Sequence, residues 1–242
     1  MAFIEIRGLT KRYGRGPGRP PVEAVTGLDL DVNRGEVLGL LGPNGAGKTT
    51  TLKILCGVVD ASAGRVAVDG EEKDALRRLR ARTGVVFEGT RSVYWRLSTV
   101  ENLEYFGNLK GVRGAPLRRQ IEELVAAFGL HERRHDPVKD LSRGNQQKVA
   151  IAAALIGDPE LLILDEPTLG LDVAASLGMK AMIRDFAVER GKAVILASHQ
   201  LEVVEALCSR VAILNRGRLV VQDSTRAVVS RFDRDQYQVR YE

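Results

Sequence analysis

The sequence predicts an α/β fold: a mainly parallel sheet with helices packed on it and a helical insertion interrupting it. Three observations point there. Near-continuous apolar runs such as Leu161 to Leu164 and Ala193 to Ser198 read as strands buried on both faces, the pattern of parallel sheets. Stretches of helical character alternate with them, the rhythm of βα units. Between Glu71 and Val138 that rhythm gives way to a mainly helical signal, with Ile121, Leu124, Val125 and Phe128 at i, i+3, i+4 and i+7.

In chain order, Phe3 to Arg7 alternates like a short strand. Gly14-Arg15-Gly16-Pro17-Gly18-Arg19-Pro20-Pro21 is too rich in Gly and Pro for helix or interior strand, and reads as an exposed loop before a strand around Val25 to Val32. Glu36 to Leu41 is a nearly continuous apolar strand, Lys48 onward suits a helix as far as Gly57, and Arg65 to Val68 alternates as a strand. After Asp140 come a helix from about Gln146, the strand Leu161 to Leu164, a helix after Asp172, the strand Ala193 to Ser198 and a helix from Glu202. Val211 to Leu214 and Leu219 to Val221, separated by Asn215-Arg216-Gly217-Arg218, read as a terminal hairpin. No internal repeat, heptad array or low-complexity tract interrupts the order.

The 242 residues suffice for one large domain or two small lobes, and 44% hydrophobic against 28% charged is globular composition. No apolar run approaches the roughly 18–20 residues of a membrane span, and the N-terminus lacks the basic-then-apolar order of an export signal, so a cytosolic protein is expected. Cys56 and Cys208, far apart in apolar surroundings, read as buried thiols, with neither a disulfide framework nor a zinc site supported. The net charge of +5 is concentrated: residues 71–119 carry 11 basic and 6 acidic groups, and the remainder is balanced. Such a patch fits nucleic acid, anionic lipid or a protein partner, and plain solvation accounts for it as well as these three together.

Gly42-Pro43-Asn44-Gly45-Ala46-Gly47-Lys48-Thr49, followed by Thr50, satisfies G-x-x-x-x-G-K-[ST] between a strand and a helix. Glycines let backbone N–H groups close on a β-phosphate, and the helix N-terminus adds partial positive charge. Lys48 is placed to neutralise β/γ oxygens and the Thr49 hydroxyl to ligate Mg²⁺, which implies a nucleoside triphosphate.

Leu161-Leu162-Ile163-Leu164-Asp165-Glu166 delivers two carboxylates at the carboxyl edge of the sheet, where α/β ligand sites lie. Asp165 is the expected Mg²⁺ partner and Glu166 the expected general base, although an Asp-Glu pair opening a turn before Pro167 is also common. His199 ends the strand Ala193 to Ser198 at the same edge, where it either orients water on a γ-phosphate or is simply a satisfied polar residue.

Leu141-Ser142-Arg143-Gly144-Asn145-Gln146-Gln147-Lys148 precedes an Ala-rich helix, and Ser142 and Gly144 at a helix start make a second anion site. The order of phosphate loop, helical insertion, this segment, apolar-Asp-Glu and His resembles the nucleotide-binding domain of ATP-binding cassette (ABC) proteins over nearly the whole chain. The resemblance implies a P-loop NTPase core with an antiparallel β subdomain at the N-terminus, residues 1–88 and 158–242, and a helical subdomain, residues 89–157. It makes Gly42 to Thr49 the Walker A loop and Leu161 to Glu166 the Walker B strand with its catalytic Glu. Leu141 to Asn145, including Arg143, becomes the signature, Leu169-Gly170-Leu171-Asp172 the D-loop, His199 the switch histidine and Tyr13 the aromatic that stacks on adenine. Four positions depart from the family pattern: Arg143 and Asn145 in a signature that reads Leu-Ser-Arg-Gly-Asn where Leu-Ser-Gly-Gly-Gln is commonest, Glu88, which stands where Gln is usual and is expected at Mg²⁺, and Leu169, which replaces a Ser.

The resemblance further implies ATP and Mg²⁺ as cofactors, and a second protomer, identical or not, whose signature caps the ATP held by this one. It implies a separate integral-membrane permease as partner, no nucleic acid, and a place on the cytoplasmic face of the membrane. The expected dock is the insertion, where Tyr94, Trp95, Tyr105 and Phe106 gather 4 of the 12 aromatics beside Arg96, although core packing accounts for any one of them equally well. Val86-Phe87-Glu88-Gly89-Thr90-Arg91 and Tyr94-Trp95-Arg96-Leu97 resemble ABC-2 type and daunorubicin-resistance exporters. The alternatives are a soluble ABC ATPase acting on nucleic acid, the ribosome or cofactor assembly, and a P-loop kinase, which leaves residues 142–145 unexplained.

Overall fold

The computed structural model describes residues 2–14, 16, 19–89 and 92–232. Arg15, Pro17 and Gly18 of the Gly/Pro loop, Thr90 and Arg91 of the exporter-like run, and the last ten residues lie outside the described part. Two sheets organise it. Strands β1 (Ile4–Tyr13), β2 (Val22–Val32) and β4 (Ala63–Val68) form an antiparallel sheet in the order β2-β1-β4. The main sheet has the order β5-β6-β7-β3-β8-β9, from β3 (Val37–Leu41), β5 (Thr83–Val86), β6 (Leu161–Asp165), β7 (Ala193–Ser198), β8 (Arg210–Asn215) and β9 (Arg218–Ser224). Its first five members are parallel and β9 is antiparallel to β8.

Side chains alternate across the main sheet and so build two apolar layers. Leu162, Leu164, Val194 and Leu196 face one layer, while Leu161, Ile163, Ala193, Ile195, Leu38 and Leu40 face the other. The first layer holds α3 (Thr99–Leu109), α4 (Gly114–Ala127), α5 (Arg143–Leu155), α6 (Val173–Arg184) and α7 (Leu201–Leu207). The second holds α1 (Lys48–Leu55), α2 (Ala75–Ala81) and the antiparallel sheet. The chain ends its described part in α8 (Thr225–Phe232).

Several expectations change. β1 continues past Arg7 to Tyr13, through register shifts between Ile6 and Leu9 and between Leu9 and Arg12. The region 71–138 is not wholly helical: Thr83-Gly84-Val85-Val86 is the parallel edge strand β5, paired with Leu161 to Leu164. α5 starts at Arg143 rather than near Gln146, because the Ser142 hydroxyl accepts from the Asn145 N–H and caps it. Both thiols are free and buried, and burial pushes each up to about 12; Cys208 fills the space above Gly39 of β3. The basic excess is partly paired: Arg77, Arg82 and Arg119 meet Asp74, Glu160 and Glu123, and Arg80 donates to the Gly57 carbonyl. No helix among the described residues is long and apolar enough to cross a membrane.

Candidate active site

The phosphate loop joins β3 to α1, and its glycines are fixed by close approach. At Gly42 (φ 156°) a Cβ would sit 2.3 Å from the Leu214 carbonyl oxygen, and at Gly47 (φ 104°) 2.5 Å from that of Ala24. The β8–β9 turn, with Arg216 and Gly217 both at positive φ, leans on this loop: Gly217 N–H donates to the Ala46 carbonyl at 3.0 Å. The Lys48 ammonium is buried and donates to the carbonyls of Gly42 (2.6 Å) and Pro43 (3.3 Å), so it lies inside the loop that precedes it. Asn44 to Thr50 share a cleft of about 300 Å³ with Val22, Glu23 and Ala24 of β2. Tyr13 pairs with Val22 at the end of β1 and is 38% exposed, with Lys11 5.0 Å over its ring.

Across the sheet edge, the Thr49 hydroxyl donates to Asp165 Oδ2 at 2.9 Å. Asp165 is buried, and burial raises its carboxyl above the ordinary range; the Thr49 bond opposes this, and the charges of Glu166 and Glu88 reinforce it. A carboxylate and a hydroxyl in contact, with a second carboxylate in the same field, form the oxygen donor set that Mg²⁺ takes. Among the described residues no group of three His, Cys, Asp or Glu forms a self-sufficient metal cluster.

Glu166 adopts a left-handed conformation (φ 53°), held where its N–H donates to the Ala197 carbonyl and its own carbonyl accepts from Leu169 N–H. This turn places the carboxylate over the end of β7. There Ser198 Oγ donates to Oε2 at 2.9 Å and the His199 N–H donates to Oε1 at 2.9 Å. His199 Nδ1 lies 2.7 Å from the same Oε1, so the imidazole is tied to Glu166 through one ring nitrogen. Ser198 carried no signal in the sequence, and only its position as the last residue of a buried strand could have singled it out.

A cleft of about 460 Å³ brings Glu88, Asp165 and Glu166 together with Trp95, Arg143, Gln146 and Leu169 to Leu171. Ser142 and Gly144 stand at the start of α5 beside α6: a Cβ on Gly144 would lie 3.4 Å from Ala175 Cβ, and one on Gly170 3.7 Å from Arg143 Nη1. Arg143 is thus beside Gly170, and Asn145 supplies the N–H that the Ser142 hydroxyl accepts. Asp172 caps α6 by accepting from Ala175 N–H at 2.7 Å. Tyr94 and Tyr105 meet edge-on at 4.8 Å, are 49% and 39% exposed, and join hydroxyls at 3.1 Å. Phe106 instead packs on the core. The loop carrying Tyr94 and Trp95 is pinned by buried Asn102, which accepts from Tyr94 N–H and donates to the carbonyls of Tyr94, Leu97 and Ser98. Sequence reasoning missed Asn102.

Comparison with known proteins agrees with this geometry. The family described as "ABC transporter" matches residues 25–169. The ABC transporter ATP-binding protein NatA of Bacillus subtilis is 38% identical over 82% of this chain and 81% of its own length. A fluoroquinolones export ATP-binding protein of Mycobacterium tuberculosis is 40% identical, over 91% of this chain and 70% of its own. A methionine import ATP-binding protein, MetN of Bordetella pertussis, is 35% identical over 93% of this chain and 63% of its own. The bacterial ABC transporter cassette MJ0796, solved as a dimer, superposes with a TM-score of 0.82 at 27% identity, covering 92% of this chain and 98% of that one. The same cassette has been solved as a post-hydrolysis dimer with ADP and Pi.

Proposed function

The chain belongs to the ABC transporter family, an ATPase family, and we propose that it binds ATP between two facing protomers and hydrolyses it to drive a separate membrane permease, outward. The observation that carries this reading is Glu166, aimed by Ser198 and His199 beside the Thr49–Asp165 pair at the mouth of the phosphate loop. In this reading Gly42 to Thr50 hold the phosphates, with Lys48 leaving its carbonyl partners for the γ-phosphate. Tyr13 stacks on the base. Thr49, Asp165 and Glu88 hold Mg²⁺, which when bound withdraws charge from the phosphate oxygens. Glu166 accepts the proton of the attacking water, and His199 holds Glu166 and that water in register.

Ser142, Arg143, Gly144 and Asn145 cap the ATP of the facing protomer, and Asp172 fixes the D-loop by capping α6. The closed pair gains γ-phosphate contacts that ADP cannot make, so hydrolysis opens it. Residues 89–157 act as the lobe that meets the permease, through the exposed ring pair Tyr94 and Tyr105. Support for export comes from the likeness of residues 86–97 to ABC-2 type ATPases and from the fluoroquinolones export relative.

The Glu166→Gln chain tests the chemistry. It is expected to bind ATP, to lose turnover by at least ~100-fold and to accumulate as an ATP-bound dimer by light scattering. Near-normal phosphate release would remove Glu166 as the base. Lys48→Ala is expected to abolish ATP binding in equilibrium dialysis. Co-purification from membranes with a polytopic protein tests the permease, and stimulation by nucleic acid of a chain that stays free of membranes would overturn it.

A further inference from the structure

Lys11 and Tyr13 are two residues apart near the end of β1, so both side chains stand on one face of the antiparallel sheet. The Lys11 ammonium lies 5.0 Å over the Tyr13 ring and donates to the Asp60 carbonyl at 2.7 Å. The segment that holds it is itself fastened to β1 on either side of Lys11. Ser62 N–H donates to the Thr10 carbonyl at 2.8 Å, and Ser62 Oγ accepts from Arg12 N–H at 3.0 Å. The cation is therefore seated over the ring by its surroundings, and the ring keeps 38% of its surface open.

The strand order decides which side of the ring the cation takes. β1 runs between β2 and β4. Asp60, three residues before β4, holds the ammonium on the β4 side. The cleft of Asn44 to Thr50 is bounded instead by Val22 to Ala24 of β2, and Val22 is the cross-strand partner of Tyr13. A base carried by phosphates in that loop thus reaches the ring from β2, opposite the cation. A cation over one face draws π density toward itself, and the depleted far face stacks better on an electron-rich purine. The same contact restrains the ring before the base arrives, so less freedom is lost on binding. We propose that Lys11 is a positioning residue for the nucleotide: seated by Asp60, it clamps the Tyr13 ring from behind and strengthens its grip on adenine without acting on the phosphates. The inference rests on the reading of Tyr13 as the stacking residue and adds the group that sets how strongly it stacks.

Equilibrium dialysis of the full chain tests it, with two probes: a non-hydrolysable ATP analogue, and inorganic tripolyphosphate, which offers the loop the same phosphates and no base. Lys11→Met keeps a long unbranched side chain and removes the charge. It is expected to raise the Kd of the analogue about three- to tenfold and to leave that of tripolyphosphate within about twofold. Lys11→Arg, whose guanidinium also sits over aromatic faces, is expected to restore analogue binding to within about twofold. Tyr13→Ala is expected to weaken the analogue about tenfold or more, and Lys11→Met added to it to cost nothing further. In steady-state hydrolysis Lys11→Met should raise KM and leave kcat unchanged. Equal weakening of both probes would mean that Lys11 acts through the shape of the loop, and the proposal fails. It fails too if Lys11→Arg binds the analogue as poorly as Lys11→Met, because charge is then not what the ring requires. Tighter analogue binding by Lys11→Met would put the ammonium on the side the base needs, the reverse of the proposal. A Lys11→Met chain that binds the analogue normally, while Tyr13→Ala does not, overturns the role of Lys11 alone. If Tyr13→Ala also binds normally, the stacking reading falls with it.

Discussion

At Ser198 one hydroxyl donates to Glu166 Oε2 at 2.9 Å while accepting from Gln200 N–H at 3.1 Å. Its removal leaves the carboxylate held through Oε1 alone, free to rotate about the bond that aims it. Ser198→Ala is therefore expected to lower kcat for ATP about 3–10-fold with KM within about twofold, read by steady-state phosphate release. An unchanged kcat would show that His199 suffices. Asp165, Glu166 and His199 were legible in the sequence because each ends an apolar run, and a buried parallel strand must open at the ligand edge. The left-handed turn of Glu166 and the brace from Ser198 were not. They depend on β6 and β7 being neighbours, a pairing that residue type does not encode.

Among elements, β5 shows what pattern reading overlooks. Four residues, one of them Gly84, are too short for a periodic signal, and the surrounding arginines of α2 favour a helical reading. What makes the strand is its neighbour β6 and the close seat of α5: a Cβ on Gly84 would lie 2.2 Å from the Ala154 carbonyl oxygen. Lys110 donates to that same carbonyl at 2.9 Å, so the far end of the helix that starts at Ser142 is gripped by both β5 and α3. Gly84→Ala is expected to force α5 away from the sheet and to cost about 2 kcal/mol in urea unfolding. The displacement should propagate along α5, weakening ATP-driven dimerisation of the Glu166→Gln chain more than ATP binding itself. The long β2, the β8–β9 hairpin and the central strands were legible because alternation or turn chemistry is local; β5 and the extension of β1 were not, being fixed by partners distant in sequence.

For the molecule as a whole, the two sheets must be joined, and one charge cluster does so where their ends meet. Arg82, just before β5, donates through Nε to Glu160 Oε1 at 2.6 Å and through Nη1 to Asp69 Oδ2 at 3.0 Å. Arg34, before β3, reaches the same two carboxylates at 2.7 and 2.8 Å. Both guanidinium groups lie over the Phe3 ring, at 3.9 Å for Arg34 and 5.4 Å for Arg82. Four charged side chains from four parts of the chain thus converge beside one aromatic at the foot of the antiparallel sheet. Glu160 is held below the usual carboxylate range chiefly by its bond to Arg82, and Asp69 chiefly by its bond to Arg34. Because both folded values lie under the ordinary 4.5 and 3.8, the network stabilises the fold above those values. That contribution is lost as pH falls below them through the lowered folded values. Arg82→Gln keeps the Arg82 carbonyl that accepts from Glu160 and Leu161 N–H, so the main-chain link at β6 survives and the charge effect is isolated. The substitution is expected to cost about 1 kcal/mol at pH 7 in low salt, the scale of a partly exposed network. The cost should shrink at 1 M salt, and should fall toward the stacking contribution alone as pH drops below 3.8 through the lowered values at which both carboxylates take up protons. Urea titrations of the parent and Arg82→Gln chains across pH 3–7 measure it. A difference that is constant over that range would mean the guanidinium acts by packing on Phe3, and that the two sheets are joined by apolar contact alone.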